Sequence, residues 1–185
     1  VSARKAFLDS GIKLEEYNPQ RVGISFSSGI GGIETIEKES LIVAEKGFNK
    51  ISPFFIPMVI ANMSASHIAI DLGIHGNVTC PVTACAGSSN AILDGYRSIK
   101  DGDSDIVFAG GAEASLNRLG LSGFSSMRAL NESNDINRSS IPFDKERSGF
   151  VMGEGAATIV LEDYNMAKKR GAKIYGEVIG AFCLS

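Results

Sequence analysis

The chain has 185 residues, 44% hydrophobic and 21% charged, and its 18 Lys and Arg against 21 Asp and Glu give a formal net charge of −3. That length is enough for an α/β domain with a sizeable core. The acidic balance gives no basic footprint for nucleic acid, no apolar run reaches the ~20 residues that span a membrane, and no signal-peptide pattern opens the chain. Three cysteines, an odd and sparse number, argue against a disulfide framework and point to a reducing cytoplasm.

In chain order, residues 2–9 read as the end of a helix stopped by Gly11, and 21–27 (RVGISFS) as a buried strand. A glycine-rich turn at 28–32 leads into a polar helix over 34–46, and 51–57, with two prolines, reads as a loop. Apolar residues at helical spacing predict a helix over 58–72 with Gly73 as its C-cap. A β-branched strand over 78–83 follows, and then a helix over 86–100 with Ala91, Ile92, Gly95, Tyr96 and Ile99 on one face. Residues 104–111 (SDIVFAGG) form a second buried strand, 112–148 is loop-rich, 149–161 holds one or two apolar strands, 163–170 a short helix and 173–182 a strand. Strands alternating with helices predict an α/β domain whose sheet is mainly parallel, with helices on both faces. The chain opens at Val1 rather than Met, and 175–185 reads as a strand stopping mid-course, so the expectation is a single partial domain, incomplete at both ends.

The residue that concentrates chemistry is Cys85. The strand before it stops abruptly, and Ala84, Ala86, Gly87, Ser88 and Ser89 surround it with small side chains before the helix begins. A thiol at a helix N-terminus faces a partial positive charge and unpaired N–H groups, which favour thiolate, and small neighbours leave room for a substrate. Cys80 and Cys183, each inside a predicted strand, read as small buried hydrophobes. No paired ligand set accompanies Cys80 and Cys85, so no metal is expected.

Three other features carry less chemistry. His67, in a mostly apolar helix, and His75, in the turn before a strand, could each serve Cys85 as a general base in a thiol hydrolase or acyltransferase, or be structural. The turn at 28–32 sits between strand and helix like a dinucleotide loop, but Glu34 occupies the third glycine position of G-x-G-x-x-G, where a carboxylate repels phosphate. A tight turn near a ligand fits better. The run 142–156 reads as a folded loop tied down by Asp144, Arg147 and Glu154 and anchored by Phe143 and Phe150.

Taken together, TACAGSSNAI around Cys85, DGDSDIVFAGGAE, PFDKERSGFVMGEGA, SGIGGIETI, ISPFFIPM and KKRGAKIYGEVIG, in this order and spacing, resemble the β-ketoacyl-acyl-carrier-protein synthases, and among them the elongating type, synthase II. The resemblance covers essentially the whole chain. It implies the thiolase-like fold, of which this chain resembles most of the N-terminal half (a mixed, mostly parallel sheet flanked by helices), with the C-terminal half absent. It implies fatty-acid elongation: Cys85 takes an acyl group from acyl-carrier protein, and malonyl-carrier protein loses carbon dioxide and condenses with the thioester. The family supplies two catalytic histidines from the half missing here, and neither His67 nor His75 matches them, so this chain alone is expected to be inactive in condensation.

By the same resemblance Ile30 lines the acyl pocket and Phe55 reaches into the partner subunit's pocket. Phe124 sits at the pocket entrance, while Arg128 and Lys50 meet the acidic carrier protein or its phosphopantetheine arm. The strand 78–83 is expected to pair with its copy in a homodimer. No cofactor of its own is implied, since the substrates ride on the carrier's phosphopantetheine. The alternatives are a polyketide-type ketosynthase, a cysteine hydrolase or acyltransferase using His67 or His75, and a non-catalytic relative of the chain-length-factor kind, which usually replaces the cysteine.

Overall fold

The computed structural model describes residues 1–184. In chain order its elements are α1 (Ser2–Ser10), β1 (Val22–Ser27), α2 (Ile33–Lys46), α3 (Phe55–Val59), α4 (Met63–Leu72), β2 (Val78–Thr79), α5 (Gly87–Lys100), β3 (Ile106–Glu113), α6 (Arg118–Ser126), β4 (Gly155–Glu162) and α7 (Tyr164–Lys169). They fall into two compact units, one built from 1–31, 60–113 and the residues from 156 onward, the other from 32–59 and 114–155.

The first unit is organised by a four-stranded sheet in the order β2-β1-β3-β4. β1 runs parallel to β2 and to β3, with Val22 opposite Ile106 and Ile24 opposite Phe108. Asp163 N–H donates to Asp105 O at the start of β3 (3.0 Å), whereas Ala157 lies against Gly110 near its end, so β4 runs against β3 and the sheet is mixed, mostly parallel. Side chains alternate along a strand, and the two faces of β1 differ accordingly. Val22, Ile24 and Phe26 join Ile106, Phe108, Ile12, Ala65 and Ile74 in the apolar core, packed by Phe7 of α1 and by Ile68, Ala69 and Leu72 of α4. Each large apolar side chain buried there contributes roughly 1.5–3 kcal/mol. The opposite face offers Gly23, Ser25 and Ser27, small enough for α5 to lie close. A Cβ on Gly95 would come within 3.0 Å of the Val107 and Leu161 side chains, and one on Gly87 would strike Ser27 Oγ.

The second unit is held by α2. Glu34 in its first turn pairs with Lys38 at 2.5 Å. The carboxylate of Glu37 accepts the Leu119 N–H of α6 (3.1 Å) and that of Glu39 accepts the Ser52 N–H (2.8 Å). Leu130 and Phe150 form a parallel bridge, and Phe150 packs edge-on against Phe124 with ring centroids 5.3 Å apart.

Several elements differ from the sequence expectation, each for a local reason. The helix expected over 58–72 is two helices, because Val59 O accepts the Gly32 N–H (3.0 Å) and is thereby diverted from the helical ladder. α3 also takes in Phe55, Ile56 and Pro57, which had read as loop; Pro is tolerated there because first-turn N–H groups have no helical partner. The strand over 78–83 pairs only at Val78 and Thr79, since Pro81 has no N–H to continue the ladder and its carbonyl accepts from Ser27 Oγ (2.7 Å). The loop-rich stretch hides α6, whose N-cap Asn117 accepts the Gly120 N–H (2.7 Å); its glycines masked the helical pattern. On α5 Leu93 is buried with Ala91 and Gly95, while Tyr96 and Ile99 are only half-buried.

Residues 173–182 form no strand, as no neighbouring backbone pairs with them among the described residues; of the expected terminal strand, Ser185 lies outside those residues. β4 starts only at Gly155. Neither Cys80 nor Cys183 lies in a strand. Cys80 is half-buried, its thiol 3.5 Å from Ala61 O, and Cys183 is exposed rather than buried.

Candidate active site

Cys85 is the middle residue of the 3-10 turn Ala84–Ala86, which runs directly into α5. Its thiol is free and exposed. The chain bends sharply just before it, with Ala84 at φ 48, a left-handed conformation that costs a residue with a Cβ and persists only where the surroundings enforce it. Those surroundings are small. Gly87 packs on Ser27, the last residue of β1, and Gly111 of β3 packs on Ser88. Cys85 therefore sits outside the carboxyl ends of β1 and β3. The sheet order branches there, β2 lying on one side of β1 and β3 on the other, the position where open α/β sheets bind ligands. No side chain caps the first turn of α5; the Ala86 and Gly87 N–H groups go instead to Thr83 O and Ala84 O of the turn that carries Cys85.

The glycine turn after β1 reaches the same place. A Cβ on Gly29 would lie 3.6 Å from Ala84 O and 2.9 Å from Glu113 Oε2. Glu113, at the end of β3, accepts the N–H groups of Gly29 (2.6 Å) and Ile30 (3.2 Å) on one oxygen and the Ser28 hydroxyl on the other (3.3 Å). Ile30 follows Gly29 in this turn and is 40% exposed. The tight turn expected here, placed between strand and helix like a dinucleotide loop, is thus filled by the protein's own carboxylate. Sequence reasoning quoted the GGAE run but missed Glu113. The available signal was an acid ending a strand beside a turn rich in free N–H groups.

Of the other candidates, Phe55, Phe124, Arg128 and Lys50 belong to the second unit, whereas Cys85 and Ile30 belong to the first. Phe55 is half-buried in α3, and Phe124 is half-buried in α6 against Phe150. Arg128 is exposed just past α6 at φ 52, and Lys50 is exposed at the end of the 3-10 turn Phe48–Lys50.

The histidines do not form a dyad with Cys85. His75 donates its N–H to Pro19 O (3.2 Å), before the start of β1, and the six residues of β1 separate that end from Cys85 by about 20 Å. His67 is exposed on α4, a helix that packs on the sheet face opposite α5. In the loop 142–156, Asp144 accepts the Glu146 N–H (2.9 Å), its carbonyl accepts from Arg147 (2.9 Å), and Glu154 accepts the Leu116 N–H (2.9 Å), so the three expected ties are present. Phe143, expected to anchor the loop, is instead 98% exposed, in a left-handed turn at φ 68, and only Phe150 of the pair packs on Phe124. Among the described residues no group of His, Cys, Asp and Glu could hold a metal ion, and no helix is long and apolar enough to cross a membrane.

Residues 1–167 match the family described as Beta-ketoacyl synthase, N-terminal domain. A 3-oxoacyl-[acyl-carrier-protein] synthase 2 of Synechocystis sp. is 44% identical over 180 residues, 97% of this chain and 43% of the relative. One of Staphylococcus aureus is 41% identical over 97% of this chain and 45% of its own length. The chain thus spans less than half the length of these curated relatives. Among solved structures, a ketosynthase bound to the hexaketide and in complex with its type II PKS acyl-carrier protein superposes with a TM-score of 0.87 at 29% identity, over 94% of this chain and 44% of that one. The ishigamide ketosynthase/chain length factor gives 0.86 at 30% identity, over 96% and 43%. The fold is that of the thiolase-like ketosynthases, and the chain belongs to the β-ketoacyl synthase family, whose N-terminal domain it matches.

Proposed function

We propose that this chain is the nucleophile-bearing part of a 3-oxoacyl-acyl-carrier-protein synthase of fatty-acid elongation, a cytoplasmic acyltransferase that works as a homodimer. The observation that carries the reading is the exposed Cys85 thiol at the bend leading into α5, outside the carboxyl ends of β1 and β3. The Cys85 sulfur attacks the thioester carbonyl of acyl-carrier protein. The new carbon–sulfur bond forms as the phosphopantetheine sulfur leaves, and that sulfur takes up the proton Cys85 has given up. The backbone N–H of Cys85 donates to the developing oxyanion. Malonyl-carrier protein then binds and loses carbon dioxide, and the enolate carbon attacks the Cys85 thioester. Cys85 departs as thiolate, a good leaving group, and the chain is longer by two carbons. The histidines that assist decarboxylation come from the part of the family's length that this chain does not span.

In this reading Ile30 lines the acyl pocket, Phe55 reaches the partner's pocket and Phe124 guards the entrance. Arg128 and Lys50 meet the carrier protein, and the segment around Val78 and Thr79 pairs with its copy. No metal and no cofactor of its own take part. A polyketide-type ketosynthase is the second reading, favoured by the likeness to a ketosynthase solved with its type II PKS acyl-carrier protein.

The test is intact mass after incubation with acyl-carrier-protein thioesters, using protein expressed from its complete reading frame. The expected result is one acyl group on the wild type and none on Cys85→Ala. Acylation surviving that substitution overturns the proposal. Product length with malonyl-carrier protein alone separates the two pathways: a single two-carbon extension followed by release fits elongation, and repeated unreduced extension fits a polyketide enzyme.

A further inference from the structure

Glu113 is a carboxylate with no cation. It takes part in none of the ion pairs among the described residues. Its oxygens instead gather the glycine turn: Gly29 and Ile30 donate their N–H groups to Oε2 at 2.6 and 3.2 Å, and Ser28 Oγ donates to Oε1 at 3.3 Å. Gly31 in turn donates its N–H to Ser28 Oγ at 2.9 Å. Four consecutive residues are therefore referenced to one side chain. Successive N–H groups in a turn make a concavity suited to an anion, and here the anion is supplied from the end of β3. A carboxylate presents two acceptors, whereas a Gln in its place presents one acceptor and one NH2, which would face donors.

Position gives this arrangement its consequence. The turn packs on Ala84 O at Gly29, one residue before Cys85, and carries the partly exposed Ile30. A movement of the turn changes the space beside the thiol without touching the thiol. We propose that Glu113 is a positioning residue for acylation at Cys85: by fixing the turn it fixes Ile30, and so sets the length of acyl chain that Cys85 accepts. This rests on the reading of Cys85 as the acyl acceptor and of Ile30 as lining the acyl pocket.

The experiment uses protein expressed from its complete reading frame, as wild type, Glu113→Ala, Glu113→Gln and Glu113→Asp. It measures acylation of Cys85 by hexanoyl and by myristoyl carrier-protein thioesters, together with alkylation of Cys85 by iodoacetamide, a probe too small to feel the pocket. The expected result is an iodoacetamide rate within about twofold of wild type and a myristoyl-to-hexanoyl ratio changed about tenfold in Glu113→Ala, a difference of about 1.4 kcal/mol. Glu113→Gln falls between the two. Added formate, seating in the vacated carboxylate position, restores the ratio in Glu113→Ala. Should that variant fail to fold, Glu113→Asp, which keeps the charge but draws the turn inward, is expected to shift the ratio alone.

An unchanged ratio in the folded variants overturns the proposal. So does a parallel loss of both acylations and of alkylation that formate does not reverse, since that assigns Glu113 to general stability. A wild type that takes no acyl group at all overturns the assignment of Cys85 and this inference with it.

Discussion

At the scale of single residues, the site depends on side chains that are absent as much as on the thiol that is present. Gly87 lies where a Cβ would strike Ser27 Oγ, the atom that also holds Pro81 O. Gly87→Ala is therefore expected to destabilise the protein by about 1–3 kcal/mol, read as a lower urea midpoint. Because the clash is with one hydroxyl, the added change Ser27→Ala should recover part of the loss, and a purely additive pair would refute the contact as its cause. Thiol reactivity follows exposure. Iodoacetamide is expected to modify Cys85 well ahead of half-buried Cys80, as peptide mapping over time will show. The sequence grouped Cys183 with Cys80, but its exposure makes it a second fast site, so the clean measurement is on a Cys183→Ser background. Cys85 itself was legible from its neighbours, because small residues between a β-branched run and a helix are a local signal. Glu113 was not, because its partners lie more than eighty residues earlier and only the parallel pairing of β1 and β3 brings them together.

At the scale of elements, the ends of α1, β4 and α7 are fastened by one cluster. Arg170 grips Glu162 with two hydrogen bonds (2.8 and 2.7 Å) and donates a third to Ser10 O (2.9 Å), while the Tyr17 hydroxyl donates to Glu162 at 3.0 Å. The Glu162 side chain is only 7% exposed. Arg170→Met leaves that carboxylate buried without its cation and should cost about 3 kcal/mol in urea unfolding. Burial, and after it the hydrogen bond to Glu162, holds the Tyr17 phenol above its ordinary value of 10.0. The folded state thus favours neutral Tyr17, and the stability this brings is present below pH 10 and lost as pH rises through the raised value. A urea midpoint that declines above pH 10 in the wild type and flattens in Tyr17→Phe is the expected result. Elements whose signal is local were legible: α1 with Gly11, β1, α2, α5, β3, and α7 with its Asp163 cap. Those decided by a partner were not. Val59 O is diverted by Gly32 and splits a helix, Pro81 cuts a strand short, and 173–182, apolar enough for a strand, has no neighbour to pair with among the described residues.

At the scale of the whole molecule, the chain covers less than half of its curated relatives, and the chemistry proposed for it divides accordingly. Residues 1–185 expressed alone are expected to accept an acyl group at Cys85 but to form no condensed product with malonyl-carrier protein, as measured by mass spectrometry of both protein and product. Condensation by that chain would overturn the expectation that the histidines come from elsewhere. Many large apolar side chains stand exposed, Phe54, Phe143, Ile179 and Phe182 among them, and apolar surface on this scale favours association. Sedimentation is expected to find residues 1–185 as dimers or larger species, and a clean monomer would count against this.

The sequence by itself determined the alternation of strands and helices, the buried strands at 21–27 and 104–111, the nucleophile's local setting and the ordered motifs that identify the family, since each is written in neighbouring residues or in a short period. The tertiary structure alone decided that Glu113 fills the glycine turn, that His75 stands a strand's length from Cys85, and where helices and strands end. Those outcomes depend on which distant backbone groups compete for the same hydrogen bonds, and no stretch of sequence read on its own contains both competitors.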